Sequence, residues 1–367
     1  MPKFEIKHRR TGEVIFAGKA SSLKELVRHA ALYGSDASLF QQAVTKIGLK
    51  KISKVRLYGA DLKEADLSEI DLTESDFSGS DLSKTKLEGS CLKKAIFSRC
   101  DFSHADLSRT SLADCDLTES NFFKANLSKA LIENANFSGA NLSFANLSGL
   151  KLSKANFAKA DLSEVILASS DMSKAQFSGN KMTKADLSWG ILEKARIERS
   201  DLSGANLERA DLSDAKLVGS IMVGANLTEA NLSGADLAGA DLTGAILSGA
   251  NLTGAKLTNA KFPKAKLDGS KLIRVEAYNC DLSGAVITDA DLSGANLTAA
   301  QLVRTDFSKS FLVGANLTNS QMQDAVLSKT NLQEANLQGA QAQNADFSLA
   351  SGEKPDFSGA TLTGSNF

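Results

Sequence analysis

One residue in five, counted without interruption, governs what this chain can fold into. Stepping by five from Leu57 through Leu62, Leu67, Leu72, Phe77 and Leu82 to Phe357, Leu362 and Phe367 gives 63 positions, and all but Ala277, Ala342 and Gly352 are Leu, Phe, Met or Ile. With that position written i, residue i−2 is nearly always small (Ala60, Ala65, Ser75, Ala205, Ala225), i−1 is usually Asp or Asn, i+1 usually Ser or Thr, and i+2 mostly Gly or charged. Two apolar positions in five match neither the helical period nor strand alternation, which excludes a helical array. A chain meets a period of five by turning a corner every five residues, with i and i−2 pointing inward. Four such sides close a coil of 20 residues. Gly at i+2 suits a corner with positive φ, and Asp or Asn at i−1 can hydrogen-bond the turn backbone. The frame from residue 57 onward then gives about 16 coils, stacked into a rod on the order of 75 Å long at strand spacing.

Length alone, 367 residues, would suggest two or three globular domains. Composition argues for an array instead, because only 6% of residues are aromatic and there are 3 Pro, 3 His and 1 Trp. Runs such as Ala205-Asn206-Leu207-Glu208-Arg209 and Ala225-Asn226-Leu227-Thr228-Glu229 resemble the A(D/N)LxG pattern of the pentapeptide repeat proteins, over about 85% of the chain. The resemblance implies an all-β solenoid, a right-handed quadrilateral β-helix. It also implies a function, since several members engage DNA gyrase or topoisomerase IV as DNA mimics and protect them from drugs or toxins. Quinolone-resistance members commonly carry loops that bulge from the coils. No frame is interrupted here, so no loop contact carries over.

Residues 1–52 stand outside the repeat, and residues 53–367 form the β-helix. Phe4 and Ile6, a turn at Arg10-Thr11-Gly12-Glu13, then Val14 and Phe16 read as a β-hairpin. Ser22-Leu23-Lys24-Glu25 is a capping box for a helix stopping at Gly34, and Asp36 caps a second helix stopping at Gly48. Together they predict a small α+β cap over the first coil. At the other end Phe357, Leu362 and Phe367 are inward-type residues with no such cover, which predicts a homodimer joined there.

The net charge of −1 conceals a division: residues 1–56 carry 12 Lys/Arg against 4 Asp/Glu, and the rest is acidic. The first coils are the extreme, with Asp61, Glu64, Asp66, Glu69, Asp71, Glu74, Asp76 and Asp81 opposed only by Lys63, and a rod bearing acidic rows could imitate duplex phosphates to a protein that binds DNA. The basic stretch next to these coils would be repelled from nucleic acid by the same carboxylates, so direct nucleic-acid binding is not expected. Outward-facing Phe123, Phe144 and Trp189 are candidate contact residues, Phe123 and Phe144 on adjacent coils of one face. Tyr278, Phe311 and the series Ile246, Val286, Val326 are further ones.

Nothing predicts catalysis. No nucleophile elbow, dinucleotide fingerprint or phosphate loop occurs, His8, His29 and His104 are isolated, and Cys91, Cys100, Cys115 and Cys280 form no C-x-x-C pair, so no metal or other cofactor is expected. No signal peptide or membrane-length apolar run is present, which reads as a cytoplasmic, bacterial chain. These observations point to a protein-interaction scaffold, in its specific form a modulator or protector of a type II topoisomerase. The contrasting reading is a rigid spacer or host-directed interaction protein with no topoisomerase link.

Overall fold

The structure is a computed structural model that describes residues 4–7, 14–18, 51, 53, 54 and 56–367. Two strands, β1 (Phe4–Lys7) and β2 (Val14–Gly18), pair antiparallel with Phe4 opposite Gly18 and Ile6 opposite Phe16, and the register slips between Ile6 and Lys7. The alternating apolar residues Phe4, Ile6, Val14 and Phe16 fall in these two strands, and the turn expected at 10–13 lies outside the described residues. The two helices expected over 22–34 and 36–48, and the cap they would complete, lie outside the described residues.

The remainder divides into two units, Met1–Asp171 and Met172–Phe367. Each is a β-helical solenoid, and no described residue is helical. Parallel bridges join residues 20 apart, from Lys51↔Asp71 to Lys151↔Asp171 in the first unit and from Gln176↔Arg196 to Asp346↔Asn366 in the second. The coil register therefore reaches back to Lys51. No helix among the described residues is long and apolar enough to cross a membrane.

Each five-residue side accounts for its own backbone donors, which is why the register never slips. The N–H of i donates to a carbonyl one coil on (Leu62 to Asp81, 2.8 Å), as does that of i+2 (Glu64 to Ser83, 2.9 Å), whereas that of i−1 donates one coil back (Asp81 to Ala60, 2.9 Å). Residue i−2 closes the corner (Ala65 to Leu62, 3.0 Å), and the N–H of i+1 reaches the Asp or Asn side chain at i−1 (Ser68 to Asp66 Oδ1, 3.1 Å). On such a side, with Asp or Asn at i−1, every donor is engaged and none bears the cost of an orphaned amide. The corner residue i+2 is left-handed throughout, from φ +53° at Glu164 to +77° at Gly364.

Inside, the i column is buried at every level from Leu57 to Phe347. In the first unit six rings form a continuous spine: Phe77 stacks on Phe97 at 5.2 Å, Phe97 meets Phe102 edge-on at 5.2 Å, Phe102 stacks on Phe122 at 4.8 Å, Phe122 meets Phe137 at 5.5 Å, and Phe137 stacks on Phe157 at 5.1 Å. In the second unit most slots are Leu, and packing is balanced locally: a Cβ on Gly190 would sit 2.8 Å from Met172 Cε, so the long Met fills the room that Gly190 leaves. Each buried Leu or Phe contributes roughly 1.5–3 kcal/mol, and the sum is taken between neighbouring coils.

The small slot i−2 has a second use. Ser80, Ser90, Thr110, Cys100 and Cys115 donate from their buried hydroxyl or thiol to the carbonyl 23 residues earlier, Ser80 Oγ to Leu57 O at 2.7 Å and Cys115 Sγ to Leu92 O at 2.9 Å. In these five the polar atom is satisfied and adds a rung between coils, whereas the side-chain amide of Asn180 and the Ser320 hydroxyl, in the same slot, are buried without a hydrogen-bond partner.

Candidate functional site

Among the described residues of the coils, the charged side chains lie on the outward slots. The eight acidic residues do not form one row. Asp61 and Asp81 share a column through their bridge, but Glu64, Asp66, Glu69, Asp71, Glu74 and Asp76 wind around the remaining sides and corners. Several are neutralised: Lys51 lies 3.3 Å from Asp71, Lys54 3.3 Å from Glu74 and Lys84 3.3 Å from Glu64. The carboxylates at i−1 are also turn formers. The Ser68 hydroxyl, followed by its N–H, holds Asp66 below the usual carboxylate range, and the Thr73 hydroxyl does the same for Asp71, with Lys51 adding to it. What survives as an uninterrupted acidic column is Asp61, Asp81 and Asp101, joined by consecutive bridges and without a cation partner among the described residues.

The aromatic residues gather more tightly. Phe123 and Phe144 meet edge-on at 5.6 Å, His104 meets Phe123 edge-on at 5.6 Å, and Lys124 places its ammonium 5.1 Å from the Phe123 ring and 5.8 Å from that of Phe144. Phe144 is 43% exposed. In the second unit Arg209 lies over Trp189 at 4.7 Å and bonds Glu229 at 2.7 Å, so a 55% exposed indole is the base of a Trp189–Arg209–Glu229 stack along one corner. The Arg209 hydrogen bond holds Glu229 below its ordinary range. Cation–aromatic pairs of this kind fix side chains that would otherwise be mobile. Sorting residues by 20 places Trp189 and Arg209 in one column, a signal present in the sequence that reading in steps of five passes over.

Tyr278 and Phe311 are exposed and separate, and Ile246, Val286 and Val326 form one column with Lys266 and Asp306 between them. Phe357, Leu362 and Phe367 come together at the last coil, where Phe367 stacks on Phe347 at 5.1 Å and meets Phe357 at 6.1 Å while remaining largely exposed. Burial pushes the thiols of Cys100, Cys115 and Cys280 up to about 12, so they are packing groups, and Cys91 alone is half-buried on an outer face. Among the described residues no three His, Cys, Asp or Glu side chains are grouped as metal ligands.

A closed interior and a patterned exterior define an all-β solenoid whose surface carries its chemistry. The chain belongs to the pentapeptide repeat family: the model for pentapeptide repeats matches overlapping segments from 56–93 to 330–367. Among solved structures it is similar to HetL, a pentapeptide repeat protein involved in heterocyst differentiation regulation from the cyanobacterium Nostoc sp. strain PCC 7120, at 29% identity over 68% of this chain and 96% of that one, TM-score 0.26. It is also similar to a pentapeptide repeat protein of the Arabidopsis thaliana thylakoid lumen, at 27% identity over 26% of this chain and 66% of that one, TM-score 0.25. A third is trypsin-treated QnrB1, a plasmid-mediated fluoroquinolone resistance protein, at 20% identity over 55% and 88%, TM-score 0.23. Superposition is poor in all three, so membership rests on the repeat itself. No curated protein matches the chain.

Proposed function

We propose that this chain is a non-catalytic protein-interaction scaffold of the cytoplasm, a right-handed quadrilateral coil that presents fixed side-chain clusters to a protein partner. The observation that carries the reading is the contrast between the two sets of slots. Inward positions are consumed by packing, while outward ones hold aromatic–cation groups, Phe123–Lys124–Phe144 and Trp189–Arg209, at corners fixed by the bridge lattice. Aromatic residues and Arg are the side chains that dominate protein interfaces. The test is affinity capture from the native host with the intact chain and with Trp189→Ala and Phe123→Ala/Phe144→Ala variants. A partner retained by the parent and lost by a variant is expected; equal retention by all three would overturn the reading.

The specific form is a DNA-mimicking modulator or protector of DNA gyrase or topoisomerase IV. The Asp61–Asp81–Asp101 column favours it, because three carboxylates at strand spacing present a run of negative charge to a phosphate-binding groove. Supercoiling assays with and without a quinolone decide it. Protection from the drug, weakened by Asp81→Asn/Asp101→Asn, is expected, and no effect at large molar excess would leave the spacer or host-directed reading. A homodimer through Phe357, Leu362 and Phe367 belongs to the same reading; light scattering that returned a clean monomer would remove it.

A further inference from the structure

One face of the second unit has a charge pattern that is complementary to itself. Consecutive bridges join Lys216, Asp236, Lys256 and Glu276 into one outward column of alternating sign. The corner beside it carries Asp214, Gly234, Gly254 and Arg274 at the same four levels, and the other edge carries Val218, Ala238, Thr258 and Tyr278. Val218 and Tyr278 are 38% and 51% exposed. Such a ladder could serve simply to pair its own charges within the chain, but here it scarcely does so. Lys216 lies 3.9 Å from Asp236 and Lys194 3.8 Å from Asp214, while Lys256, Glu276 and Arg274 have no ion pair among the described residues.

We propose that this face docks a second copy of the chain, antiparallel, about a two-fold axis lying between the levels of Asp236 and Lys256. That axis sets Lys216 against the partner's Glu276, Asp236 against the partner's Lys256, and Asp214 against the partner's Arg274, each pair made twice. It also sets Val218 against the partner's Tyr278, and Gly234 against the partner's Gly254, so the corner column has no side chain at the two middle levels to hold the faces apart. One level further out, Lys194 meets the partner's Gly294 and Arg196 the partner's Asn296. No like charges face each other. Parallel pairing of the same faces would set each charge of the Lys216–Glu276 column against its own copy, and shifting the antiparallel register by one level sets Lys256 or Asp236 against itself. An isologous contact with one register is what such a pattern specifies.

The four charged levels span roughly 14 Å at strand spacing, well short of a permanent interface, so the contact belongs with weak, salt-sensitive ones. Sedimentation velocity of the intact chain should show association that strengthens toward about 0.1 mM protein and fades at high ionic strength. Lys216→Glu/Lys256→Glu and Asp236→Lys/Glu276→Lys should each weaken it tenfold or more with unchanged circular dichroism, and an equimolar mixture of the two should recover it. A second measurement stands apart from charge. Val218→Cys/Tyr278→Cys should oxidise to a covalent dimer, whereas Val218→Cys alone should not, because the two positions lie roughly 14 Å apart within one chain and each faces the other across the axis. Association untouched by the charge reversals, as a contact through Phe367 would be, overturns the proposal. So does a mixture no tighter than its parts, or equal cross-linking by the single variant.

Discussion

Phe102→Ala tests whether the inward spine sets stability coil by coil. Phe102 is fully buried, stacks on Phe122 at 4.8 Å and meets Phe97 edge-on at 5.2 Å. Truncating a buried Phe costs about 3–5 kcal/mol, less where neighbours collapse into the void. Collapse is hindered here, because the coils on either side are held by the Asp81↔Asp101 and Asp101↔Asn121 bridges. The expected loss is therefore in the upper half of that range, about 4–5 kcal/mol. Phe102→Leu keeps most of the volume and loses two ring pairs, worth about 0.5–1.5 kcal/mol each, so about 1–3 kcal/mol is expected. Denaturant unfolding followed by circular dichroism measures both, and hydrogen exchange locates the effect. Amides that donate between these coils, at Leu82, Phe102 and Phe122, should lose protection while Leu227 and Leu247 of the second unit keep theirs. An Ala variant costing under about 1 kcal/mol, a Leu variant as costly as Ala, or protection lost evenly along the chain would refute the nearest-neighbour account.

Two glycines separate strain from collision. Gly239→Ala, at φ +65° with no heavy atom within 4 Å of the added Cβ, should cost only the left-handed penalty of about 1–2 kcal/mol. Gly352→Ala, at φ +119° with its Cβ 2.3 Å from the Gln333 amide nitrogen, should release the last coil and open residues 348–367 to protease in an otherwise folded chain. Cys100, Cys115 and Cys280, pushed to about 12 by burial, should resist alkylation in the native state while Cys91 reacts, as mass spectrometry would read. Their folded-state values lie above the unfolded value of 9.0, so the folded chain holds protons that the unfolded one gives up, and stability should fall as pH rises beyond about 9. Thr73→Ala should raise the Asp71 pKa, seen by NMR titration, because the Thr73 hydroxyl is the largest influence holding it down. The stability Asp71 adds is present at neutral pH and lost as pH falls through its depressed value, and the variant should shrink it.

The coil was legible in the sequence because its grammar is backbone chemistry written in side chains. Asp or Asn at i−1 marks the amide it accepts from, Leu or Phe at i marks the core, and the 20-residue closure follows from four corners. Which side each acidic residue faces is less legible, because the eight from Asp61 to Asp81 occupy one turn of the coil, and one turn visits every side. Which carboxylates remain free then depends on the reach of Lys51, Lys54 and Lys84, a matter of rotamers that no spacing encodes. Equally out of reach were the thiol and hydroxyl rungs at i−2, since Cys100 and Ser120 read simply as small residues until their carbonyl acceptors are in place.

The corner slot carries one signal that was in the sequence and is stronger than its glycines. From Gly59 to Gly364 the i+2 position accepts Lys, Arg, Glu, Asp, Asn, His, Phe, Trp, Leu, Ser and Ala, yet never Val, Ile or Thr, although Thr is frequent one residue earlier. A branched Cβ is the feature that the left-handed region tolerates least, so its exclusion reports positive φ at every corner, including those without glycine. The backbone lattice imposes that conformation, and a non-glycine corner bears roughly 1–2 kcal/mol for it. Phe144 at φ +60° and Trp189 at φ +58° bear this cost with large, exposed rings that add nothing to the core. Core packing therefore gives no account of either ring; contact with the partner proposed above would. On this argument Trp189→Gly should leave the coil at least as stable while removing whatever binding the indole provides, and a destabilised variant would show that the ring belongs to the fold instead.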